Sequence, residues 1–147
     1  MTMHRRPLGQ GRTMAAIGGI VILVGCLLPW WKVGGGEGLP VVTGNAFEGT
    51  GILVFLVGVA TLFLVALPYA VGDRPTGLDR WLSFALLATV GWLGLAWRIG
   101  DLLMTGAFTF EEPIEVFTNG PGLWVAGIGL TILARAAYQM TREPAYR

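Results

Sequence analysis
Few residues in this chain are equipped for chemistry. Arg98 and Asp101 stand three apart within a mostly apolar run, which puts both side chains on one face of a helix. A charge inside such a run marks either a functional contact or a local ion pair. Arg98 is also long enough to snorkel to the nearer interface. Glu111, Glu112 and Glu115, with Glu48 and Glu37, form a second set. Clustered carboxylates suit hard cations, but these lack EF-hand spacing and read more simply as a solvated face or as partners for Arg98 or a basic surface. No metal site is expected. Trp92 lies nearest the middle of its run. Its indole N–H needs a partner, so it reads as a packed or belt tryptophan, or as the wall of a lipid or quinone-like pocket.

The missing residue types exclude more than the present ones suggest. The single histidine is His4, in a charged tail, and the single cysteine is Cys26. No Ser/His/Asp set, paired-histidine metal or haem site, disulfide framework or CxxC pair can be built. Gly34-Gly35-Gly36-Glu37-Gly38 follows no strand pattern and is no nucleotide loop. The chain carries no catalytic constellation and calls for no cofactor, so a non-enzymatic role is expected.

The elements that must position these residues are set by hydropathy. Of 147 residues, 54% are hydrophobic and 13% charged, with net charge +1. That charge share is about half the usual globular value. It excludes a disordered chain and a nucleic-acid binder and leaves a small integral membrane protein. A spanning helix needs about 20 mostly apolar residues, and four stretches supply them: 13–31, 50–71, 81–104 and 121–140. They are too long and continuous for barrel strands. The expected fold is all-α, a bundle of four transmembrane helices in one membrane domain. Tails occupy 1–12 and 141–147, a short turn occupies 72–80, and two longer loops occupy 32–49 and 105–120.

Charge orients this bundle. With both termini inside, Arg5, Arg6, Arg12, Arg74, Arg80, Arg135, Arg142 and Arg147 face inward against Asp73, Asp79 and Glu143. Lys32, Arg98 and six acidic residues face outward. The positive-inside rule therefore predicts cytoplasmic N- and C-termini in the inner membrane of a prokaryotic cell. Trp30, Trp31, Trp92, Trp97 and Trp124 are then expected in an outer aromatic belt, with Trp81 marking the inner boundary. Residues 23–26, Leu-Val-Gly-Cys, resemble the lipobox of a bacterial lipoprotein signal. The following Leu27-Leu28-Pro29-Trp30-Trp31 departs from the polar tether of that pattern, so Cys26 reads as a small residue inside the first helix.

Two segments align at a spacing of 71 residues: Gly49-Thr50-Gly51-Ile52-Leu53-Val54 with Gly58, and Gly120-Pro121-Gly122-Leu123-Trp124-Val125 with Gly129. Either they are a chance match, or the bundle is two parallel repeated helical hairpins. Close helix contacts are expected at Ala15 and Gly19, at Gly58, at Ala85, Ala88 and Gly91, and at Gly122, Ala126 and Gly129, because small residues let backbones approach in lipid. These features suggest an accessory or structural subunit docking on a larger membrane protein complex, in contact with membrane lipids. The alternatives are a homo-oligomeric channel or transporter component and a lipid- or quinone-binding enzyme.

Overall fold
A computed structural model describes residues 9–35, 38–71, 81–106 and 115–142. Four helices are long and apolar enough to cross a membrane: α1 (Gln10–Leu27), α2 (Ile52–Val71), α3 (Trp81–Met104) and α5 (Pro121–Arg142). Short strands β1 (Trp31–Val33) and β2 (Val42–Gly44) lie between α1 and α2, and a short helix α4 (Glu115–Asn119) precedes α5. The molecule is a multi-pass bundle in which α1 and α3 each pack against both α2 and α5. Its described ends differ in character. The loop end carries the strands and α4; the terminal end carries the start of α1 and the close of α5.

The α1–α5 contact is the closest. A Cβ added at Gly25 would lie 2.5 Å from the backbone nitrogen of Ala126 and 3.0 Å from the carbonyl of Gly122. One at Gly18 would lie 3.0 Å from the nitrogen of Leu133 and 3.1 Å from the carbonyl of Gly129. The two helices are therefore antiparallel and touch backbone to backbone. Glycines seven residues apart, Gly18 and Gly25 against Gly122 and Gly129, put one face of each helix on the seam every two turns. In lipid, where apolar side chains gain nothing by leaving solvent, such close packing is the main attraction available.

The first helix ends at Leu27, short of the Trp31 boundary expected from hydropathy. The cause is local. Pro29 disfavours the helical region for the residue before it, and Leu28 is extended at φ −76°, ψ 157°. The chain then turns back as a hairpin, with Trp31 opposite Gly44, Lys32 opposite Thr43 and Val33 opposite Val42. Gly34 and Gly35 at φ +87° and +93° let it reverse. These strands lie within the loop expected over 32–49, and Gly34 directly follows β1, so the glycine run does follow a strand, contrary to the sequence expectation; the chain turns there into a hairpin.

One bond closes the base of the hairpin and two tie it to the helices. The Trp30 amide donates to the Gly44 carbonyl at 2.7 Å, the Ala46 amide to Cys26 at 3.4 Å, and the Gly122 amide to Pro29 at 2.9 Å. Trp30 is the plug beneath them, with no exposed surface. Its indole N–H donates to the Gly25 carbonyl at 2.9 Å. The assignment of Trp30 to a belt is thus corrected: a backbone acceptor one turn back satisfies its polar edge, so the ring packs inside.

Candidate functional site
The buried core of the bundle is almost wholly apolar. Among the described residues, its buried polar or charged side chains are Thr61 and Arg98. Thr61 donates to the carbonyl of Val57 at 2.7 Å, and the exposed Thr89 and Thr131 likewise bond back to Ala85 and Gly127 at 2.9 Å. These hydroxyls are spent on their own helices.

Arg98 is different. It is 7% exposed, and its Nη1 donates to Asp101 Oδ2 at 2.7 Å. It does not snorkel into solvent, because the turn before α2 roofs it. Gly49 in that turn has φ +74°, and a Cβ there would lie 2.9 Å from Arg98 Nη1. Glycine is thus favoured at position 49 twice over, by backbone conformation and by space. Arg98 Nε is buried without a hydrogen-bond partner, as are Thr50 Oγ1 and Trp31 Nε1 nearby in the chain's loop-end segments. Each such orphan costs about 1–3 kcal/mol, so this end is held by packing rather than by a complete polar network.

Glu48 comes to the same segment but not to the ion pair. Its Oε2 and the Trp31 indole lie over Gly44, where any side chain would collide with both. Glu115 is half-buried at the start of α4. Glu111 and Glu112 fall outside the described residues, as does Glu37. No group of three or more potential metal ligands occurs among the described residues.

Of the small residues singled out from the sequence, Gly122, Ala126 and Gly129 lie on the α1–α5 seam. Gly19 faces Leu62 and Thr61, and Gly58 faces Leu23 and Ile22, both between α1 and α2. Gly91 is filled by the Leu130 side chain, and Ala15 and Ala88 are buried. Sequence reading missed Gly18 and Gly25. Their spacing of seven, repeated at Gly122 and Gly129, was the available signal.

Ala85, Ala88 and Trp92 also line an open groove of about 670 Å³ between α3 and α5. Trp92, Trp97 and Trp124 are exposed on the bundle surface. Trp124 stacks on Phe117 of α4, ring centroids 4.6 Å apart.

No protein-family model matches this chain, and no curated protein or solved structure matches it. Its class therefore rests on fold and site: a multi-pass helical membrane protein with an anchored loop-end hairpin and a buried arginine, Arg98, paired with a half-exposed Asp101.

Proposed function
We propose that this protein is a non-catalytic accessory subunit that docks onto a larger membrane protein through its loop-end hairpin. The observation that carries this reading is the hairpin surface. Val33, Leu39, Val41, Val42 and Phe47 are each 43–66% exposed, on a segment tied to the bundle through Pro29, the Trp30 indole and Ala46. An apolar patch displayed beside a helix bundle is an interaction surface, and a two-stranded sheet also offers strand edges for pairing. The closely packed, apolar interior supports a scaffold rather than a solute path.

Orientation belongs to the same reading. Both termini face the cytoplasm of a prokaryotic inner membrane, and the hairpin faces out, as the arginine distribution favours. The glycine pairs at 49–51 and 120–122 each open a second hairpin helix, consistent with a duplicated ancestor.

Native mass spectrometry after gentle extraction from the host membrane tests the docking. A defined set of membrane proteins is expected with the native chain and is expected to be lost with Leu39→Glu/Val41→Glu. A clean homo-oligomer, or ion conductance by the pure protein in vesicles, would overturn this reading and favour a channel.

A further inference from the structure
The groove between α3 and α5 lies on a different face from the hairpin. Its wall on α3 runs from Trp81 through Ala85 and Trp92 to Ala96, and its wall on α5 includes Ala134 and Tyr138. From Trp81 to Ala96 the helix rises about 22 Å. One leaflet of hydrocarbon is about 15 Å thick, so the groove reaches from the headgroup region past the depth of a single leaflet. The groove is open along its side and has a volume of about 670 Å³, room for a hydrocarbon chain lying along it.

Its lining is largely apolar along its length, and a cation stands beside its terminal end. Thr89, the polar residue of the α3 wall, turns its hydroxyl back to Ala85. At the terminal end the Arg142 guanidinium lies 4.7 Å over the Tyr138 ring and donates to its hydroxyl. Arg135 stands three residues before Tyr138 and seven before Arg142, on the same side of α5, and is also exposed. Thr141, which also lines the groove, spends its hydroxyl on the Tyr138 carbonyl at 2.7 Å. Arg142 therefore stands at the mouth through its contact with the lining residue Tyr138, and Arg135 lies about two turns further along the same side of α5.

We propose that this groove binds one anionic phospholipid, with an acyl chain along Ala85, Trp92 and Ala134 and the phosphate on Arg135 and Arg142. Charge complementarity selects the headgroup, because guanidinium groups bind phosphate strongly and in forked geometry. Basic residues at a membrane surface also draw anionic lipid. The alanines set the bore: a leucine at any of them would narrow it. This site is independent of the hairpin and would persist if the docking role failed.

The test uses the full chain, stripped of lipid in detergent and titrated with phosphatidylglycerol or phosphatidylcholine of identical chains. Native mass spectrometry counts bound lipids. Lipids brominated on the acyl chain report proximity by quenching Trp81 and Trp92 fluorescence. Phosphatidylglycerol is expected to bind one per chain and about tenfold more tightly than phosphatidylcholine. Arg135→Gln/Arg142→Gln should erase that preference while leaving residual chain binding. Ala134→Leu, at an exposed position, should weaken both lipids and reduce quenching. Equal binding of the two lipids by the native chain would overturn the proposal, as would an Ala134→Leu variant that binds normally. A dimer or a co-purifying protein lost on Ala134→Leu would overturn it too, by showing that protein rather than lipid covers the groove.

Discussion
Arg98 shows what one residue does when it is buried without a full set of partners. Asp101 takes Nη1, while Nε has no acceptor. Removing one member of such a pair strands the other, whereas removing both charges is often close to neutral. Asp101 is 45% exposed at its side chain, so solvent screens part of the attraction. Asp101→Asn is expected to destabilise the bundle by about 1–2 kcal/mol, and Arg98→Met added to it should recover most of that loss. Reversible unfolding in mixed micelles measures both. A double variant less stable than the single one would show that Arg98 contributes through contacts other than the pair. The spacing of Arg98 and Asp101 made the pair itself legible in the sequence. The roof over it was not, because it depends on Gly49, about fifty residues earlier in the chain.

At the scale of elements, the α1–α5 seam separates glycines that must be glycine from those that need not be. A Cβ at Gly25 meets backbone atoms of Ala126 that cannot rotate away. Gly25→Ala should force the helices apart and cost about 1–3 kcal/mol, the usual range for overpacking. Gly100, inside α3, has nothing within 4 Å of an added Cβ. Gly100→Ala should instead stabilise the helix by about 0.5–1 kcal/mol, through lower chain entropy. Thermal melts of the two variants side by side would decide it, and equal shifts would mean that the seam relaxes freely. The hairpin shows the complementary limit of sequence reading. Its strands are three residues each, too short for alternation to register, and they exist because Trp30 and Ala46 bond back to the helix end.

For the whole molecule, the sharpest expectation concerns sidedness. A cysteine at Leu39, which is 66% exposed, should react with a membrane-impermeant maleimide added to intact cells. A cysteine replacing Gln10 at the start of α1 should react only after the membrane is opened. Native Cys26 has no exposed surface and gives a low background. The reverse pattern would invert the orientation and place the groove's arginine mouth outside.

The sequence alone determined that this is a membrane protein with four long apolar helices, since length and hydropathy are local and lipid demands about 20 apolar residues of every span. It also excluded sites that need paired histidines or paired cysteines, because His4 and Cys26 stand alone. Tertiary structure decided which faces meet: Gly18 and Gly25 on α5, Trp30 as a plug, Gly49 over Arg98, and an open groove left between α3 and α5. In water an amphipathic stripe marks the inward face of a helix. In lipid the outward face is as apolar as the inward one, so periodicity loses that information. Only the fit of backbone against backbone distinguishes the side of α1 that meets α5 from the side that meets the acyl chains.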